Sequence, residues 1–169
     1  MTRASKTSST LAAHGSREKY VHDLIGRNSR LDAMQAVVLR AKLRRMPQWN
    51  VQRQQIADRY LELLSENDAV RAPRVREGNS DVWHIFAVQV DDRDRVAEVL
   101  RDSGVEVGIH YPTPIHLTRA YAHLGLSRGA FPVTEAAADR LLSLPMSPHL
   151  TESAQTVVVD ALARATQEK

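Results

Sequence analysis

The stretch DVWHIFAVQVDDRDRVAEVLRDSGVEVGIH, residues 81 to 110, constrains the fold more than any other because its hydrophobic period changes twice. Residues 81 to 90 are apolar or aromatic on both alternating faces, the pattern of a strand covered on both sides. The next run, DDRDRVAEVLRDSG, places acids at a helix start, Val96, Val99 and Leu100 at helical spacing, and Gly104 where a helix would be capped. VEVGIH then returns as a strand. A strand, helix, strand succession of this kind is the crossover unit of α/β folds.

Helical spacing dominates on the N-terminal side of this unit. Leu31, Met34, Val38, Leu43 and Met46 predict a helix capped near Ser29, with Asp32 in its first turn. Pro47 is expected to kink or restart it, and Trp49, Ile56, Tyr60, Leu63 and Leu64 carry a second helix up to SEND. Together these make one long, bent helical arm. Residues 1–13 are small and polar and are expected to be a disordered leader. Residues 14–67 are read as a linker segment and the arm, and 68–169 as a small C-terminal α/β domain. Within the latter, TRAYAHLG and VTEAAADRLL look helical and SLPMSPHL is a proline-broken extended segment. TESAQTVVVDALARA closes the chain as a helix with a Thr cap and Ala154, Val157, Val158, Ala161 and Leu162 on one face. The expected architecture is α/β, a small three-layer domain with a short sheet flanked by helices and a long bent N-terminal helical arm. An arm with so many aliphatic residues calls for a partner, and a dimer is the default expectation.

Composition narrows the function classes. The 169 residues suffice for a hydrophobic core, and no run of about 18 apolar residues suggests a membrane span. A cytoplasmic protein is expected. Cysteine is absent, which removes disulfide frameworks and thiolate metal sites. The net charge of +3 comes from arginines largely balanced by nearby acids, and RAKLRRM, with Arg40, Lys42, Arg44 and Arg45, reads as the solvated side of an amphipathic helix. No nucleic acid or membrane partner is expected.

Two segments carry candidate chemistry. VEVGIHYPTPIHLTRAYAHLG, residues 105 to 125, holds His110, Tyr111, His116 and His123. The histidines are not spaced as a helical metal pair and no carboxylate stands among them at ligand spacing, so no metal is assigned. Pro112 and Pro114 hold His110, Tyr111 and His116 at the end of a strand, where ligands gather in α/β folds. A pocket and plain ring packing are equally open readings of these residues. GRNSRLDAMQA, residues 26 to 36, offers Gly26 for a turn, the Asn28 amide, the Arg30 guanidinium and a helix start directly afterwards. Those parts suit an anion, and an ordinary loop-to-helix cap accounts for them as well. There is no glycine-rich phosphate loop and no serine elbow.

Taken in order, HGSREKYVHDLIGRNSRLDAMQAVVLRAKL, RQQIADRY, VWHIFAVQV, GIHYPTPIHLTRAY and FPVTEAAADRLLSLPMSP resemble the C-terminal portion of the DegT/StrS-type sugar aminotransferases, over roughly residues 14 to 166. That family uses pyridoxal phosphate on the fold-type-I scaffold, in homodimers with sites at the subunit interface. The resemblance implies that Asn28, in the GxNxR motif, reaches the cofactor phosphate of the partner subunit. It implies that Arg30 lies near the partner's substrate or the interface, and that His110 and Tyr111, with His116, line a sugar-nucleotide site serving polysaccharide or antibiotic sugar biosynthesis.

The family's Schiff-base lysine and pyridinium-pairing aspartate belong to a large domain that is not matched here. The four lysines, Lys6, Lys19, Lys42 and Lys169, do not match that nucleophile, so no catalytic residue is assigned. The chain is expected to be a truncated family member, inactive alone, with cofactor binding by itself in question. A second reading is a non-catalytic subunit that pairs with a full-length relative and lends Asn28 to its site. A third, a nucleic-acid-binding regulator using Arg40 to Arg45, is the one the charge distribution supports least.

Overall fold

The computed structural model describes residues 3–18 and 20–167. The chain divides at Met46 and Pro47 into two compact units. The first begins with helix α1 (Arg3–Ala12), where composition predicts a disordered leader. This run contains neither Gly nor Pro, and its end is held by later backbone. The N–H groups of Gly15, Arg27 and Ser29 donate to the carbonyls of Thr10, Leu11 and Ala12 at 2.8, 2.8 and 2.9 Å. Carbonyls that a lone helix would leave to water are thereby paired.

A small antiparallel pair follows, β1 (Ser16–Glu18) and β2 (Val21–His22). Its neighbourhood explains two glycines. A Cβ on Gly15 would lie 1.6 Å from the Leu24 carbonyl oxygen, and one on Gly26 would lie 2.0 Å from the Gly15 nitrogen. Gly26 thus serves backbone-to-backbone contact, which no side chain permits.

Helix α2 (Ala33–Leu63) follows as one helix of 31 residues with Pro47 inside it. The helix does not restart at Pro47, which leaves one carbonyl without its helical N–H but does not end the helix. The start also differs from expectation. Asp32, not Ser29, caps the helix, its Oδ1 accepting the Gln35 N–H at 2.8 Å.

The second unit is built on a three-stranded antiparallel sheet, β3 (Val70–Arg71), β4 (Phe86–Val90) and β5 (Leu141–Leu144), in the order β3-β4-β5. Val70 pairs with Val90, and Phe86 with Leu144. Helices α3 (Arg93–Asp102), α4 (Pro132–Arg140) and α5 (Glu152–Gln167) flank it; a 3-10 turn at Ile115–Leu117 precedes a second one, Arg119–Leu124, which stands where TRAYAHLG predicts a helix. Tyr60, Phe86, Val88, Val96, Leu100, Leu142 and Leu162 are fully buried in one core. Small sheets flanked by helices thus form the mixed helix and sheet architecture expected.

The details of that sheet depart from the sequence pattern. Strand β4 starts only at Phe86, because Trp83 turns the chain with φ +48° while its indole N–H donates to Gln54 Oε1 at 3.1 Å. Its faces are unequal: Phe86, Val88 and Val90 are buried, whereas Ala87 and Gln89 are only partly covered. VEVGIH makes a single antiparallel bridge, Gly108 with Ser143. Since β5 is antiparallel both to β4 and to this segment, β4 and residues 105–110 run parallel with β5 between them. The crossover is a split one, closed by a strand from later in the chain. In α5 the Thr151 hydroxyl accepts the Ala154 N–H at 3.2 Å, as a cap should. Its buried stripe is Gln155, Val158, Ala161, Leu162 and Ala165, while Val157 is exposed.

Candidate functional site

At the end of the 105–110 segment a cavity of about 550 Å³ opens, lined by His84, Glu106, His110, Tyr111 and Ser143 with Met146 and other apolar groups. His110 Nδ1 lies 2.9 Å from Ser143 Oγ, and the ring stands edge-on to Tyr111 with centroids 5.6 Å apart. Gly108 lies beneath the ring: a Cβ there would meet His110 Cε1 at 2.7 Å. Tyr111 is largely exposed. The cavity is therefore a mixed one, with imidazole, phenol, hydroxyl and carboxylate groups over an apolar floor, as small-molecule sites commonly are.

His116 is placed differently. It is buried, 8% exposed, with Nε2 3.0 Å from Glu135 Oε1 and its ring 4.9 Å from that of Phe131. Glu135 also accepts the N–H groups of Gly129 at 2.8 Å and Phe131 at 3.2 Å. The Gly129 N–H, chiefly, holds this carboxyl below the ordinary range, against the opposing effect of burial, with Phe131 and His116 assisting. The pair ties the 3-10 turn at Ile115–Leu117 to the start of α4, and His116 does not line the cavity.

Asn28 and Arg30 belong to the first unit and His110, Tyr111 and His116 to the second. Asn28 is exposed and bridges Ala13. Arg30 is exposed. The helix start beside them is occupied by the chain's own Asp32 carboxylate, which takes one of the amides an anion would use.

Three contributors escaped the sequence reading. His84 lies inside VWHIF, which reads as strand; Ser143 lies in LLSL, where only its place between two buried leucines marks it; Glu135 lies in VTEAAADRLL, which reads only as helix. Among the described residues no three His, Asp or Glu side chains gather as a metal site, and no helix is long and apolar enough to cross a membrane.

A family model described as the DegT/DnrJ/EryC1/StrS aminotransferase family matches residues 2–163. The chain belongs to that family. It is 43% identical over 152 residues to the erythromycin biosynthesis sensory transduction protein EryC1 of Saccharopolyspora erythraea, covering 90% of this chain and 42% of that protein. It is 40% identical over 152 residues to the dTDP-3-amino-3,4,6-trideoxy-alpha-D-glucose transaminase of Streptomyces venezuelae, covering 90% of this chain and 40% of the relative. Among solved structures, S. venezuelae DesV in complex with a ketimine intermediate superposes with a TM-score of 0.89 at 36% identity, over 98% of this chain and 44% of that one. An aminotransferase of the family from Brucella abortus superposes at 0.86 and 32%, over 99% and 45%. The chain thus spans less than half the length of the relatives it matches, and corresponds to their C-terminal portion.

The family and its structural neighbours work with pyridoxal or pyridoxamine phosphate. The cavity by itself does not fit that group. No lysine lines it to hold an aldehyde, and no arginine or lysine to hold a phosphate. Among lysine side chains the structure describes, Lys42 is exposed on α2.

Proposed function

We propose that this chain forms the substrate-facing part of a cytoplasmic sugar-nucleotide aminotransferase, in which an amino group passes to a keto-sugar nucleotide. The observation that carries this is the His110–Tyr111 cavity in a chain of the sugar aminotransferase family. Pyridoxal phosphate supplies the amino-transfer chemistry in such enzymes. His110 and Tyr111 contact the sugar-nucleotide substrate, and His116, through Glu135, shapes the segment that carries them. Arg30 serves the substrate or the interface, and Asn28 serves the cofactor phosphate of a partner subunit.

The cavity's uncharged donors and apolar floor support a sugar ring there better than a diphosphate, which calls for cations. By itself the chain does not turn over, because none of its cavity residues offers the amine that chemistry needs. Incubation with pyridoxal phosphate followed by desalting should therefore leave no cofactor absorbance on the protein. A retained, borohydride-fixable adduct would overturn the claim of inactivity.

A second reading is a non-catalytic subunit pairing with a full-length relative, favoured by the exposed Met34, Val37, Val38 and Leu43 on α2. It expects co-purification with such a relative and loss of the complex's activity on Asn28→Ala. Unchanged activity would remove it.

A further inference from the structure

The imidazole of His110 is held from two sides by groups whose positions the sheet dictates. On one side, Ser143 is 6% exposed and sits in the middle of β5. Its register opposite Ala87 fixes one edge of the strand, and its backbone exchanges two hydrogen bonds with Gly108 on the other, at 2.7 and 3.1 Å. The hydroxyl therefore has little freedom beyond its own rotation, and its recorded partner is His110 Nδ1 at 2.9 Å. On the other side, Gly108 leaves room for the ring where a Cβ would meet it at 2.7 Å. A buried hydroxyl in a strand otherwise made of leucines is costly unless it is bonded, so this bond accounts for its presence.

Counting protons favours one direction for that bond. A serine hydroxyl has one proton to place, and among the described residues Ser143 Oγ has no other acceptor beside His110 Nδ1. If the ring donated instead, the hydroxyl proton would have no protein acceptor among the described residues. We propose that Ser143 is a positioning residue for His110: it donates to Nδ1, fixes the Nε2–H tautomer, and so makes Nε2 a hydrogen-bond donor toward the cavity. The ligand atom suited to this donor is an uncharged oxygen, a ketone or hydroxyl of a sugar, in a cavity that no cation lines. This rests on the sugar-nucleotide reading of the cavity, but the tautomer can be tested apart from it.

The test is ring-nitrogen NMR on the full chain labelled with 15N-histidine, at a pH where His110 is neutral, with the amide spectrum as a control on folding. His110 should show a protonated Nε2 and an unprotonated Nδ1. Ser143→Ala should give a mixed tautomer population, Ser143→Thr should restore the single one, and Gly108→Ala should perturb the ring without touching the hydroxyl. A protonated Nδ1 in the native chain, or nitrogen shifts unchanged in folded Ser143→Ala, would overturn the proposal. Titration with dTDP-glucose separates the two ideas. The native chain should shift the His110 Nε2 resonance, and Ser143→Ala should bind about fivefold more weakly, the value of one hydrogen bond. A native chain whose tautomer is as expected but which ignores the nucleotide sugar keeps the positioning role and removes the substrate reading.

Discussion

Glu135 shows how much one side chain organises around the site. A carboxylate that collects two backbone N–H groups and an imidazole is stabilised as the anion, so its folded pKa lies below its ordinary value of 4.5. The sign follows directly: the stabilisation is fully present above the unfolded value and is lost as pH falls through the depressed folded one. Thermal stability should therefore fall in acid, the loss setting in as pH drops below the ordinary value of 4.5. Glu135→Gln should unfold at lower temperature near neutrality and decline less steeply in acid, as followed by circular dichroism across that range. Equal slopes for the two proteins would assign the acid sensitivity to other groups. The same residue shows what sequence conceals: PVTE reads as a helix start, and nothing in it reveals that the acid reaches back to Gly129 and across to His116.

Among the elements, α2 and the sheet mark the limits of period-based reading. The four-residue spacing of Ile56 and Tyr60 in α2, continued by Leu64 just past its end, marks the buried face, since these residues are 7%, 0% and 3% exposed. Pro47 does not restart the helix, because a lone proline costs helix stability without forbidding the helix. Replacing it with alanine should stabilise α2 by up to about 3 kcal/mol, the propensity difference between the two residues in a helix interior. Urea unfolding monitored at 222 nm and amide exchange at residues 43 to 50 would show it. An unchanged midpoint would mean that helix already has a compensating partner for the freed carbonyl. Strand pairing, by contrast, is non-local. VEVGIH and LLSL each look adequate as strands, but only the register of Ser143 against both Ala87 and Gly108 reveals that one lies beside the other. The cavity residues were legible as HYP and illegible as His84 and Ser143 for the same reason: the former lie together in sequence, the latter only in the sheet.

For the molecule as a whole, the exposed apolar surface matters most. Leu31, just before α2, and Met34, Val37, Val38, Leu39 and Leu43 along its start are each more than half exposed, a density that water does not favour. The isolated chain should self-associate, and light scattering at rising concentration should show oligomers or poor solubility. Val38→Glu with Leu43→Glu should shift the population toward monomer. A monodisperse native monomer would mean this surface is tolerated in water.

The split crossover carries a consequence for synthesis. Phe86–Val90 and Gly108 leave the ribosome well before Leu141–Leu144, the strand that must lie between them. Until it emerges, the middle lane of the sheet is empty and the inner edge of β4 presents unpaired backbone groups to any other extended chain nearby. A nascent polypeptide stalled between these points would display a ready-made template for wrong pairing, a hazard for chaperones to cover and one that a contiguous β-α-β unit would have closed earlier.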